Sequence, residues 1–172
     1  MAARFVLRPE TLEVVVASNL FADILSDLGG ALAGSLGVAA SANLDPQRRR
    51  PSMFEPVHGS ALDIAGKGIA NPIGALASAA LMLEHLGLEE EAGRANRAIE
   101  ATTGSGTLTP DLGGTSTTRE VGDAVMAHLS RGPSQRREPP RVALGGPELL
   151  ESRPFSLSLF TGVLRRGILR SS

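Results

Sequence analysis

Leu12-Glu-Val-Val-Val-Ala17 runs directly into Ser18-Asn-Leu-Phe-Ala-Asp-Ile-Leu-Ser-Asp-Leu-Gly-Gly30, and the change of period at Ser18 decides how the chain is read. The first six residues are a β-branched run suited to a strand buried on both faces. Ser18 or Asn19 can then cap a helix, and Leu20, Ile24 and Leu28 recur on one stripe, which predicts a helix to about Leu32. Strand followed by helix is the building step of an α/β protein with a largely parallel sheet. Gly29, Gly30, Gly34 and Gly37 are expected to end the helix and start an extended segment near Leu36-Gly-Val-Ala-Ala40.

Three further helices are marked by their ends. Asn71-Pro72 reads as an N-cap with proline in the first turn of an Ala-rich helix that reaches His85 and stops at Gly87. Glu89, Glu90 and Glu91 suit the first turn of the next helix, where the macrodipole favours negative charge, and Gly104 closes it. Thr117-Thr-Arg-Glu120 is a capping box that opens a helix to about Ser130. His85 and His128 fall late in their helices, where positive charge is favoured. The segments 42–70 and 104–114 are rich in loop residues, and no internal repeat interrupts the pattern.

Composition narrows the classes. The chain has 172 residues, 42% of them hydrophobic and only 3% aromatic, with no Cys, no Tyr and Lys67 as its one lysine. Zero Cys excludes disulfide frameworks, thiolate catalysis and cysteine zinc sites. No stretch approaches the roughly 20 apolar residues of a membrane span, and Met1-Ala-Ala-Arg-Phe-Val-Leu7 lacks the order of a signal peptide, so a cytoplasmic protein without a membrane role is expected. Residues 1–130 hold nine basic and fifteen acidic side chains, whereas residues 131–172 hold eight Arg and three Glu. That tail opens with Pro133, Pro139 and Pro140 among charges, a linker composition expected to be disordered. Its end, from Pro154 to Arg170, alternates and then drifts toward helical spacing; it reads as a basic amphipathic helix or as an extension without a role. Arg48-Arg49-Arg50 stands in an acidic body without aromatic stacking partners, so a solvated loop is expected and nucleic acid is not.

Two constellations carry chemistry. Asp23 and Asp27 are four apart on the first long helix, so their like charges share a face. Such a pair is ordinarily a solvated acidic face; bridged by a hard cation such as Mg2+ or Mn2+, it would need further oxygen ligands from protein, water or substrate. The second is Phe54-Glu-Pro-Val-His-Gly-Ser-Ala-Leu-Asp-Ile-Ala-Gly-Lys-Gly-Ile-Ala-Asn-Pro72. Unobstructed N–H groups at Gly59, Ser60 and Ala61 could cradle a phosphate, and Asp63 could accept both hydroxyls of a ribose. The loop is neither a dinucleotide glycine fingerprint nor a P-loop, since Gly66-Lys67-Gly68 lacks the required spacing and hydroxyl. His58 could equally be a hydrogen-bonded loop histidine.

Taken in order, Asn19-Leu-Phe-Ala-Asp-Ile-Leu-Ser-Asp27 with Gly34-Ser-Leu-Gly-Val38, and then Glu55-Pro-Val-His-Gly-Ser-Ala61 through Asn71-Pro72, closely resemble the isocitrate and isopropylmalate dehydrogenase family. These are NAD(P)-dependent β-decarboxylating dehydrogenases of 2-hydroxy acids, and the resemblance covers about residues 4–130. It implies the C-terminal portion of that α/β fold, with an incomplete, mostly parallel sheet flanked by helices. Residues 1–37 would be a remnant of the dimer-forming domain with its metal-binding helix, 38–130 the C-terminal part of the NAD-binding domain, and 131–172 a non-family tail. Asp23 and Asp27 would bind Mg2+ or Mn2+, while Glu55, His58, Gly59, Ser60, Ala61, Asp63 and Asn71 would surround NAD. An acidic Asp63 beside the ribose repels a 2′-phosphate and favours NAD over NADP. Ser41-Ala-Asn-Leu-Asp-Pro-Gln-Arg48 and Pro51-Ser-Met-Phe54 look more like the tartrate and D-malate dehydrogenase branch.

The departures have consequences of their own. Ala22 stands where the family usually has glycine, and Leu62 where it has proline, which loosens the loop. The resemblance also implies a preceding half with substrate-binding arginines, a third metal aspartate and a catalytic Lys and Tyr. None of those two proton-transfer groups can be supplied here, so no catalytic residue is assigned. The chain reads as a family member begun at an internal methionine, expected to be inactive alone and to expose apolar faces that favour aggregation. Full-length family members are expected to act as homodimers on small 2-hydroxy acids.

Overall fold

The computed structural model describes residues 1–131. The linker and tail expectations for 132–172 lie outside the described residues. Helix α1 (Ala2–Leu7) leads through a 3-10 turn at Pro9–Thr11 to α2 (Asn19–Leu32), followed by a 3-10 turn at Leu36–Val38 and the strands β1 (Ala40–Asn43) and β2 (Met53–Pro56). Helices α3 (Ile73–His85), α4 (Glu89–Gly104) and α5 (Thr118–Ser130) complete the order. The hairpin lies on α3, α3 on α4, and α4 on α5.

The helix ends agree with their punctuation. Thr117 and Glu120 form the capping box of α5, with Glu120 accepting the Thr117 N–H at 2.7 Å. The Thr117 backbone N–H, and then its hydroxyl, hold the Glu120 carboxyl below its ordinary range. Asn71 accepts the Ile73 N–H at 3.0 Å, so α3 begins one residue beyond the Pro72 position. Gly87, at φ 85°, turns the chain out of α3. Ser18 precedes α2 without a capping side-chain bond. Gly29 and Gly30 do not stop α2; the helix continues through both to Leu32, and Gly34 at φ 101° makes the turn.

The sheet differs from expectation. Among the described residues, helices surround a single two-stranded antiparallel ladder, Ala40 opposite Pro56 and Asn43 opposite Met53, rather than a mostly parallel sheet. The connection 44–52 is too short for the crossover of about a dozen residues that parallel pairing needs. It reverses instead around Asp45, whose carboxylate accepts amides of Gln47, Arg49 and Arg50 at 2.8 to 3.1 Å. The Arg50 amide, then that of Gln47, draws the Asp45 carboxyl below its usual range. Residues 12–17 form no strand, the chain bending at Glu13, and Val14 and Val16 are exposed rather than buried on both faces. A β-branched run favours a strand only where a neighbouring pleated surface is there to pair with it. The extended segment expected from Leu36 is a 3-10 turn first and a strand only from Ala40.

The core is built from Val38, Ala40, Ile73, Ala77, Ala98, Ile99, Val121 and Val125. Each fully buried Ile or Val contributes on the order of 1.5–3 kcal/mol. Ser78 and Thr102 enter this core by donating to the carbonyls of Gly74 and Ala98, both at 2.8 Å. Small residues let α3 sit between the hairpin and α4. A Cβ on Gly74 would stand 2.9 Å from the Gly37 carbonyl oxygen and 3.2 Å from that of Ala39. Gly74→Ala is therefore expected to destabilise the fold by about 1–3 kcal/mol in urea unfolding. Gly122→Ala in α5, where an added Cβ meets nothing within 4 Å, should stabilise it by about 0.5–1 kcal/mol. Equal responses from the two variants would contradict this packing.

Candidate functional site

The two aspartates singled out in the sequence lie on α2, and both are exposed. Ser26 donates to the Asp23 backbone carbonyl at 2.9 Å. Among the described residues no group of three or more His, Cys, Asp or Glu side chains assembles to hold a metal. Two hard oxygen donors suit Mg2+ or Mn2+ chemically but leave most of an octahedral shell to other ligands. Helix α2 packs on α1 and on the Leu36–Val38 turn, and that turn packs on α3.

The glycine-rich loop is held at its ends and open in its middle. At its start the Val57 N–H extends the hairpin by donating to Ala39 O at 2.9 Å. At its end the first turn of α5 grips it: Thr118 N–H donates to Gly68 O at 2.8 Å, and the Thr118 hydroxyl donates to Ala70 O. Two turns fold the interior, Ile64 N–H to Ala61 O at 3.0 Å and Lys67 N–H to Ile64 O at 3.1 Å. Gly66 and Gly68 adopt φ of 77° and 69°, and Ala61 a strained 43°.

Glu55, Gly59, Ser60, Ala61 and Asp63 are exposed, and His58 is half-buried with its Nδ1 3.0 Å from Gly59 O. The amides of Gly59, Ser60 and Ala61 donate to no described residue, and an added Cβ at Gly59 would meet nothing within 4 Å. Unspent N–H groups in an open bend fit an anionic ligand.

Asn71 differs from the rest of its set. It is buried, and both ends of its amide are engaged: Nδ2 donates to Asp111 Oδ2 at 3.0 Å while Oδ1 accepts the Ile73 N–H. Its Nδ2 carries a second N–H besides the one given to Asp111. Asp111 Oδ2 also accepts the Ser35 hydroxyl. Burial pushes the Asp111 carboxyl up, but Ser35, Thr109 and Asn71 outweigh it and hold the group below its ordinary 3.8. The buried Thr109 hydroxyl acts in that direction although it meets no hydrogen-bond geometry.

Residues 1–125 match the isocitrate/isopropylmalate dehydrogenase family model. The chain belongs to this family. It is 64% identical over 125 residues to a probable tartrate dehydrogenase/decarboxylase of Agrobacterium vitis, covering 73% of this chain and 34% of that protein. It is 53% identical over 136 residues to the decarboxylating D-malate dehydrogenase of Escherichia coli strain K12, covering 76% of this chain and 38% of that one. The chain thus spans about a third of the length of these curated relatives. The crystal structure of isocitrate dehydrogenase from Methylococcus capsulatus superposes with a TM-score of 0.69 at 41% identity, covering 74% of this chain and 38% of that one. A β-decarboxylating dehydrogenase from Thermococcus kodakarensis gives 0.63 at 41% identity, over 80% and 41% of the two chains.

Within this family member, sequence reasoning missed Ser35 and Asp111. The available signal was the pairing of turn chemistry with charge in Thr109-Pro110-Asp111, placed between two helices that must return to the loop. The depressed Asp111 carboxyl gives a signed pH effect. Its contribution is fully present above the unfolded value near 3.8 and is lost as pH falls through the lower folded value. Asp111→Asn is expected to flatten the acid limb of a stability-against-pH curve below about pH 4. An unchanged acid limb in the variant would show that the carboxylate is not stabilised by its donors.

Proposed function

We propose that this chain is the metal- and NAD-facing segment of an NAD- and Mg2+- or Mn2+-dependent dehydrogenase that oxidises and decarboxylates a 2-hydroxy dicarboxylic acid of the tartrate or D-malate type. The observation that carries the reading is the open bend at Gly59–Ala61, its amides unspent, following an aspartate helix in a chain of this family. In this reading the amides of Gly59, Ser60 and Ala61 donate to the dinucleotide's phosphates. Asp63 accepts from the adenosine ribose and disfavours a 2′-phosphate, while Glu55, His58 and Asn71 complete the surround. Asp23 and Asp27 hold the divalent cation, which supplies Lewis-acid polarisation of the substrate's hydroxyl oxygen when bound.

The chain has no Tyr, and its single lysine, Lys67, lies in the cofactor loop. The proton-transfer groups of the reaction must therefore come from another segment or chain. The exposed Val14, Val16, Leu20, Phe21 and Ile24 favour such a covering neighbour, in keeping with a cytoplasmic homodimer. The same inventory favours a second reading, a module that retains NAD or metal affinity without turnover.

Calorimetry tests the binding that both readings require. NAD is expected to bind, and Asp63→Ala to weaken it while narrowing the preference over NADP. Asp23→Asn or Asp27→Asn should weaken Mn2+ by roughly tenfold, equivalent to about 1.4 kcal/mol. Absence of NAD and Mn2+ binding would defeat both readings, and turnover of D-malate or tartrate by this chain alone would show that the proton-transfer inventory is wrong.

A further inference from the structure

Three segments far apart in the chain converge on one carboxylate oxygen. Asp111 Oδ2 accepts from the Ser35 hydroxyl and from Asn71 Nδ2, the latter at 3.0 Å. Ser35 follows the exit of α2 and its hydroxyl oxygen also accepts the Gly37 N–H at 2.9 Å. Asn71 ends the glycine-rich loop, and its Oδ1 accepts the N–H of Ile73, the first residue of α3. Asp111 belongs to the 3-10 turn Pro110–Leu112 between α4 and α5. Gly37 sits where these groups meet: a Cβ there would stand 2.8 Å from Asp111 Oδ2, 2.9 Å from Asn71 Cβ and 3.2 Å from Ser35 Oγ. The space for the convergence exists because residue 37 has no side chain.

The placement matters because the Leu36–Val38 turn packs on both α2 and α3. We propose that Asp111 is a positioning residue: by holding Ser35 and Asn71 on one oxygen, it sets the placement of the aspartate-bearing helix relative to the glycine-rich loop. The proposal rests on the functional reading above for the identity of the two ligands, and on geometry for the clasp itself. Removing the carboxylate frees the α2 exit and the loop end together, although neither is adjacent to residue 111 in sequence. A cation on α2 and NAD on the loop each bias the same clasp, so each tightens the other by the same factor.

The test uses the full 172-residue chain and the variants Asp111→Ala, Asp111→Asn and Ser35→Ala. Hydrogen exchange of the unliganded protein is expected to quicken in Asp111→Ala at both 33–38 and 68–73, with the Ile99 region of α4 unchanged. Ser35→Ala should quicken 33–38, and Asp111→Asn, which still offers one carbonyl oxygen to both donors, should restore protection. Acceleration confined to 105–116 would overturn the clasp. In calorimetry Asp111→Ala should weaken NAD by about tenfold and abolish its enhancement by Mn2+. Asp63→Ala should weaken NAD without altering exchange at 33–38. Wild-type affinity and Mn2+ enhancement in Asp111→Ala would overturn the positioning role. If the unmodified chain binds no NAD, the functional reading fails alone, and the exchange pattern still upholds or overturns the clasp.

Discussion

The close approach of backbone to backbone at Gly37 and Gly74 is the constraint on which the rest of the arrangement depends. The start of α3 lies against the carbonyls of Gly37 and Ala39 at distances that leave no room for a methyl group. Because α3 comes this close, the hairpin can lie on one side of it and α4 on the other, and Ile73, Ala77 and Ile99 close a common core. Packing of this kind has little tolerance, since interiors are filled to near crystal density. The same approach brings Asn71, two residues before α3, within reach of Ser35 and Asp111.

From that arrangement the glycine-rich loop inherits its character. Its ends are fixed by the hairpin, by Thr118 and by Asn71, while its middle is left exposed with amide groups unspent. Rigid ends with an open centre are what an anion-binding bend requires: donors placed in advance, at little cost in ordering when the ligand arrives. The aspartate helix is supported differently. It packs on α1 and a 3-10 turn, and its outer face carries exposed Leu20, Phe21 and Ile24. An apolar face of that kind, next to the exposed Val14 and Val16, suits burial against further protein.

Legibility followed the range of the forces involved. The capping box at Thr117 and Glu120, the glycine stop at Gly87 and the acidic first turn of α4 act within a few residues, and each was readable from its own neighbours. The α2 stripe was readable for the same reason, although Gly29 and Gly30 were given too much weight as helix breakers; their propensity cost of about 1 kcal/mol each is small beside packing. At Gly30 an added Cβ would lie 2.6 Å from Leu36 Cδ2, so that glycine serves the close contact between α2 and the Leu36–Val38 turn. The run Leu12–Ala17 was misread as a doubly buried strand because β-propensity reports compatibility with a pleated surface, not the presence of one.

The candidate site divides in the same way. Motif order alone identified the family and singled out Asp23, Asp27 and the loop from Glu55 to Asn71, because residue type and spacing are properties of the chain itself. Only the tertiary structure decided that β1 pairs with β2 in antiparallel register, that Asn71 is buried with both ends of its amide engaged, and that Ser35 and Asp111 share one oxygen. Those partners are separated by tens of residues, and hydrogen bonds over such distances depend on how helices pack before any side chain can choose its neighbour.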